Sequence, residues 1–71
     1  MTFLGKYFTD KSLNKSEISR KTGITKSRLS QLSTNLKTNL KAEELYLIAK
    51  AIDVNPNEIL DKGFSHLKLK K

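Results

Sequence analysis

The sequence predicts an all-α protein: five short helices in one compact domain, followed by a basic tail. Three observations support this prediction. The length of 71 residues suits a single domain. Apolar residues recur at intervals of three and four, the spacing of one helix face. A pattern typical of helix starts occurs three times. We therefore expect a helical domain over residues 1–63 and a tail over 64–71.

The first two helices are predicted from an apolar face and a cap. Asn14 is a good N-cap for the second helix, and Glu17 stands where its carboxylate can accept from the N–H of the cap. Leu13 and Ile18 flank this start as a hydrophobic staple, and Gly23 can close the helix in a left-handed conformation. The first helix, over about residues 2–11, is indicated by four apolar residues on one face: Phe3, Leu4, Tyr7 and Phe8.

The third helix begins directly after this turn and is expected over about residues 26–34. Thr25 is its N-cap, and Ile24 with Leu29 forms the staple. Arg28 occupies the position where a capping box would have an acid, so this box is incomplete. Two short helices joined by a tight turn are the result.

The last two helices are predicted in the same way. The fifth begins at Asn55 with Pro56 in its first position, has Glu58 as the capping acid and Val54 as the staple residue, and is expected to end at Gly63. The fourth is expected from about residue 41 to 53, because a helical stripe runs through that segment: Leu45, Ile48, Ala49 and Ile52.

The positive charge is concentrated in the middle of the chain. The net charge is +7, and residues 11–41 alone carry eight Lys or Arg against Glu17, whereas residues 42–63 carry two bases against five acids. The tail adds three lysines. A polyanion is the natural partner of such a segment, because neutralising phosphates releases condensed counterions. The alternative is a basic surface that serves only solubility.

The third helix has the face of a DNA-reading element. At about 100° per residue, Leu29 and Leu32 lie on its buried side. The opposite side is polar and lacks acids, with Lys26 and Arg28 flanking four short or bidentate side chains: Ser27, Ser30, Gln31 and Thr34. An ordinary solvated face would be expected to carry Glu as often as Lys. The pattern therefore favours base contacts in a major groove.

Residues 13–60 resemble the lambda-repressor-like helix-turn-helix proteins, which include Cro and the phage repressors. Two segments carry the resemblance, LNKSEISRKTGITKSRLSQLSTNLKTN and LYLIAKAIDVNPNEIL. The family's apolar positions are filled by Ile18, Ile24, Leu29 and Leu32, with Gly23 at the turn. The resemblance implies a transcriptional regulator, expected to be a repressor, that binds double-stranded DNA as a homodimer.

Several residues depart from the family pattern. Ser19 replaces a usual Ala, Thr22 replaces an apolar residue, and Asn35, which also tolerates a left-handed backbone, replaces a usual Gly. An acid–base pair found in many members is replaced at both positions, by Ser33 and Phe8, so no buried charge is left unpaired. These departures suggest a divergent member.

The resemblance also implies the DNA contacts, position by position. The residues expected to face bases are Thr25, Lys26, Ser27, Arg28 and Gln31. The residues expected to contact phosphates, with the backbone N–H groups at the Asn14 helix start, are Asn14, Lys15, Thr34, Lys37, Thr38 and Asn39.

Other functions have less support in the sequence. No catalytic or metal site is predicted and no cofactor, because His66 is the only His and the acids are caps or solvated residues. The main alternative to DNA binding is a module of the same fold that binds a protein instead. A protein partner could also use the acidic helices of residues 42–62.

Some apolar residues are left over after the helical core is assigned, and each has two possible roles. Leu47 is expected either to be exposed for self-association or to be partly buried, and Phe64 either to form a dimer interface with Leu67 and Leu69 or to fold back on its own core. With no apolar run of about 20 residues and no signal-peptide pattern, we expect a cytoplasmic protein that does not enter membranes.

Overall fold

The computed structural model describes residues 2–70. Within them the chain forms five helices and no strand, which confirms the all-α prediction. No helix in this part of the chain has the length and apolar character to cross a membrane. The helices, in chain order, are α1 (Phe3–Asp10), α2 (Lys15–Thr22), α3 (Lys26–Thr34), α4 (Ala42–Ala51) and α5 (Pro56–Phe64).

The predicted N-caps and the predicted turn are confirmed. The Asn14 side chain accepts hydrogen bonds from two backbone N–H groups of the first turn of α2, at 2.8 and 3.3 Å. Thr25 and Asn55 cap α3 and α5 in the same way, at 3.1 and 2.9 Å. Gly23 closes α2 with φ of 80°, a backbone conformation that glycine adopts without steric cost. Local sequence therefore determines where these helices begin and where α2 ends.

The two predicted capping boxes at α2 and α5 are wrong. Glu17 instead receives two hydrogen bonds from the Arg20 guanidinium, at 3.0 and 2.9 Å. Glu58 accepts from the Tyr7 hydroxyl and pairs with Lys11 at 3.3 Å. Both carboxylates have a charged side-chain donor within reach, and such a donor is a stronger partner than the backbone N–H of a helix cap. A carboxylate bond to a cap N–H occurs at α4 instead, from Lys41 to Glu44.

Gly63 does not end α5, so that prediction is also wrong. The helix continues to Phe64, one residue past the expected domain end at 63. Gly63 has a packing role: a Cβ at this position would lie 2.5 Å from ring atoms of Phe3. The Phe3 ring also meets the Phe64 ring edge-on, with centroids 5.4 Å apart. Glycine at this position thus permits the close approach of α1 and α5.

One hydrophobic core joins all five helices. α1 packs on α3 and α5, α4 packs on α2 and α5, and α2 packs on α3. Leu29 and Ile48 are completely buried, and burial of each such side chain contributes about 1.5–3 kcal/mol. The residues predicted as staples at the three helix starts are half-buried and pack against this core: Leu13, Ile24 and Val54.

The unusual residues of the helix-turn-helix segment are accommodated locally. The Thr22 hydroxyl donates to the carbonyl of Ile18 at 2.7 Å and accepts from the N–H of Ile24 at 3.1 Å, which satisfies a polar group where an apolar one is usual. Ser33 is buried and donates to the Leu29 carbonyl at 2.8 Å, and Phe8 is buried as well. Asn35 is extended, with φ of −97°, so it does not use the left-handed conformation that Asn tolerates.

Candidate nucleic-acid interface

The α2–turn–α3 unit presents one polar face of α3 to solvent. Five side chains of α3 are exposed on this face: Lys26, Ser27, Ser30, Gln31 and Thr34. Leu29, Leu32 and Ser33 are buried on the opposite side. Thr25, which precedes the helix, is also exposed, and its hydroxyl oxygen caps the N–H of Arg28. The structure therefore places four of the five predicted base-facing residues together at one surface: Thr25, Lys26, Ser27 and Gln31.

Gln31 lies near the middle of this surface. Its amide oxygen accepts from the Asn35 side chain at 3.1 Å, which orients the amide. A glutamine amide presents one donor and one acceptor side by side, the pattern that matches the major-groove edge of adenine. The face can therefore offer a bidentate base contact.

Arg28, the fifth predicted base-facing residue, is engaged within the protein. Its guanidinium donates to both carboxylate oxygens of Glu44, at 2.8 and 2.9 Å, and to the Asn39 carbonyl at 2.9 Å. The Glu44 side chain is only 11% exposed. The Arg28 hydrogen bonds hold the pKa of Glu44 below its usual value, and Glu44 raises the pKa of Arg28 in turn. In this structure Arg28 thus connects α3 to α4 and to the loop between them.

The C-terminal end of α3 is fixed by a residue that the sequence did not indicate. The Thr2 hydroxyl donates to the Leu32 carbonyl at 2.6 Å, and the Thr2 N–H donates to the Ser33 carbonyl at 3.0 Å. The same hydroxyl caps α1 by accepting from the N–H of Gly5 at 3.0 Å. Carbonyls in the last turn of a helix have no partner within the helix, so Thr2 satisfies two of them while it starts α1.

The predicted phosphate-contacting residues lie at the start of α2, at the C-terminal end of α3 and in the loop that follows it. Lys15 and Thr34 line one shallow concavity of about 170 Å³ where α1, α2 and α3 meet. The N–H groups of Ser16 and Glu17 are occupied by the Asn14 side chain. Lys15, rather than those N–H groups, is therefore the donor available at the start of α2.

The loop after α3 carries the other expected phosphate contacts. Asn35 organises it: its side chain accepts from the Lys37 N–H at 2.9 Å and its carbonyl accepts from the Thr38 N–H at 3.1 Å. The Lys37 and Asn39 side chains are exposed. The turn thus presents an ammonium group beside the C-terminal end of α3.

Apolar side chains are also exposed on α4, at the end of α5 and in the tail. Leu47 is 40% exposed, so it is on the surface of α4. Phe64 folds back on Phe3, although 40% of its surface is still exposed. Leu67 and Leu69 are exposed in the tail. No group of three or more potential metal ligands occurs within residues 2–70.

A family model for the Cro/C1-type HTH DNA-binding domain matches residues 4–62 of the chain. The match spans α1 to α4 and most of α5, and so includes the whole α2–turn–α3 unit. The chain shows no significant match to a curated protein or to a solved structure.

Proposed function

Because the chain belongs to the Cro/C1-type helix-turn-helix DNA-binding family, we propose that it is a transcriptional repressor that inserts α3 into the major groove of a specific DNA site. The observation that carries this proposal is the exposed, acid-free face of α3 within a segment of net charge +7. Such a face combines electrostatic attraction to phosphates with side chains able to contact bases.

In this proposal the base contacts come from the N-terminal and central part of α3. Gln31 contacts adenine through its amide, and Lys26 reaches a guanine edge. Thr25 and Ser27, with short hydroxyl side chains at the start of the helix, approach the groove most closely. These contacts determine the sequence of the site.

Phosphate contacts fix the register of α3 on the duplex. Six residues at the ends of α2 and α3 and in the following loop supply them: Asn14, Lys15, Thr34, Lys37, Thr38 and Asn39. Because these contacts do not depend on base sequence, losing one of them weakens binding to every DNA alike.

We further propose a cytoplasmic homodimer on a two-fold operator. One α3 reads only a few base pairs, too few to define a site in a genome, whereas two copies about one helical turn apart double the readout. The exposed Leu67 and Leu69 beside α5 are the surface that fits this contact. The acidic segment 42–62, with exposed Tyr46 and Leu47, fits a protein partner. We assign the chain no catalytic role.

Selection from randomised duplex DNA, followed by affinity measurements with variants, tests the proposal. Gln31→Ala is expected to cost about 1–3 kcal/mol on the selected site and to leave binding to scrambled DNA unchanged. Lys37→Ala is expected to weaken binding to both. Lys62→Ala, which removes the same charge from α5, is the matched control and is expected to bind like wild type. Selection that enriches no sequence, or equal losses on both DNAs for Gln31→Ala, would contradict the proposal.

A further inference from the structure

We infer that Arg28 and Glu44 act together as a positioning unit that sets α3 against α4 and the intervening loop, so that Arg28 orients the base-reading face instead of reading bases itself. This inference rests on the proposed DNA-binding role of α3. It replaces the expectation from sequence that Arg28 contacts DNA directly.

Arg28 makes three hydrogen bonds within the protein, and their geometry is well defined. The Arg28 guanidinium forms a two-pronged contact with Glu44, through Nε at 2.8 Å and Nη2 at 2.9 Å. Nη2 also donates to the Asn39 carbonyl at 2.9 Å. Parallel N–H···O bonds between a planar guanidinium and a carboxylate fix both the distance and the orientation of the groups. Three of the five guanidinium N–H groups are therefore engaged within the protein before any DNA is present.

Glu44 lies at a poorly solvated position on α4. Its side chain is 11% exposed, and one of its oxygens also caps the N–H of Lys41 at 3.0 Å. If Arg28 swung out to a base, this carboxylate would keep its place on α4 but lose its counter-charge in a poorly solvated site. Removing one partner of such a pair is far more costly than exchanging the whole pair. Arg28 is therefore expected to stay on Glu44 in the DNA complex.

The ion pair also connects two helices whose backbones lie apart. α3 packs on α1 and α2, and within residues 2–70 its backbone makes no close approach to α4. The ion pair spans this gap. Because Arg28 also holds the Asn39 carbonyl, one guanidinium relates the base-reading face to the loop that carries Lys37 and Thr38. Both classes of DNA contact would lose their relative position without it.

The chain has only two arginines, and the other has a similar bond. Arg20 donates to both oxygens of Glu17, at 3.0 and 2.9 Å. The other cations of the helix-turn-helix unit are lysines, which bind DNA as point charges. Specific readout then depends on Gln31, Lys26 and the short hydroxyl side chains.

The test compares Glu44→Gln with Glu43→Gln, a matched control that removes the same charge from an exposed neighbour on α4. Affinities are measured on the selected site and on scrambled DNA as a function of salt. If Arg28 is a positioning residue, Glu44→Gln weakens binding to the selected site about tenfold relative to the control. Arg28→Lys, which keeps the charge but loses the fork, has a similar effect. In both variants the preferred base at each position and the salt slope remain those of wild type.

The opposite results overturn the inference. If Arg28 reads DNA and Glu44 merely competes for it, Glu44→Gln binds more tightly than Glu43→Gln. Arg28→Lys then relaxes the preference at one base pair, or Arg28→Ala lowers the salt slope by about one. Arg28→Lys also decides the question if Glu44→Gln fails to fold, because the Glu44 carboxylate keeps a counter-charge.

A swapped pair gives an independent measurement. The double variant Arg28→Glu with Glu44→Arg is expected to recover binding relative to Arg28→Glu alone, because the ion pair is restored in reverse. A double variant as weak as Arg28→Glu would refute the inference, since it would mean that DNA needs a cation at position 28. A wild-type chain that binds no DNA would overturn the proposed function as well, whereas the other adverse results overturn this inference alone.

Discussion

Thr2 connects the start of α1 to the end of α3, and replacing it tests how much that connection stabilises the domain. Thr2→Val keeps the branched shape and the backbone bond to Ser33, and removes only the hydroxyl. That hydroxyl donates to the Leu32 carbonyl at 2.6 Å and accepts from the Gly5 N–H at 3.0 Å. Two buried hydrogen bonds at about 1 kcal/mol each give an expected loss of about 2 kcal/mol.

The assay is unfolding by heat and by urea, with circular dichroism as the probe of helix content. In a domain of this size, a loss of about 2 kcal/mol lowers the Tm by about 8–16 °C. Thr9→Val is the matched control, because the Thr9 hydroxyl donates only to a carbonyl of its own helix, that of Gly5. We expect it to stay within about 0.5 kcal/mol of wild type. Equal stability of Thr2→Val and Thr9→Val would refute the reasoning.

Three further predictions concern alkaline stability, salt and assembly. Burial and the hydrogen bond to Glu58 raise the pKa of Tyr7 to about 12 from 10.0, so the stability held by the neutral phenol is lost as the pH rises from 10 to 12. Urea unfolding measures this loss as a fall in the free energy of unfolding between pH 10 and 12. In Tyr7→Phe, which has no phenol to ionise at this position, this part of the fall should be absent. A dimer that neutralises about three to five phosphates per subunit should bind DNA about 10³- to 10⁵-fold more weakly at 200 mM than at 50 mM salt, and a flat response would contradict it. Truncation after His66, which spares the Phe3–Phe64 contact, should abolish the dimer in sedimentation at micromolar concentration if the tail is the interface. An unchanged dimer with a shallower salt slope would instead assign the tail lysines to DNA.

Features encoded within a few residues were predictable from the sequence. The caps at Asn14, Thr25 and Asn55 and the left-handed Gly23 each depend on groups no more than four residues apart along the chain. The apolar stripes likewise predicted which faces are buried, since helical spacing alone fixes which residues share a face. The fold and the polar face of α3 follow from such local information.

Contacts between distant residues were not predictable in this way. Glu44 is 16 residues beyond Arg28, and Leu32 is 30 residues beyond Thr2. At about 100° per residue, Arg28 falls between the buried and the exposed sides of α3, so periodicity could not say which partner it would take. The sequence feature that could have indicated the partner of Arg28 is Glu44, an acid in the first turn of the next helix. The prediction that Gly63 ends α5 was wrong for a related reason. The sequence does not distinguish a glycine that ends a helix from one that makes room for a ring of another helix.

The separation of charge along the chain also affects how the protein arrives at DNA. Residues 11–41 are strongly basic, whereas residues 42–63 have a net charge of −3. In the field of a duplex, such a molecule experiences a torque as well as an attraction, so collisions begin with the basic segment turned toward the phosphates. Fewer encounters are then wasted on wrong orientations, and the on-rate rises. The acidic helices α4 and α5, although they carry none of the proposed DNA contacts, thus contribute to the speed of the search.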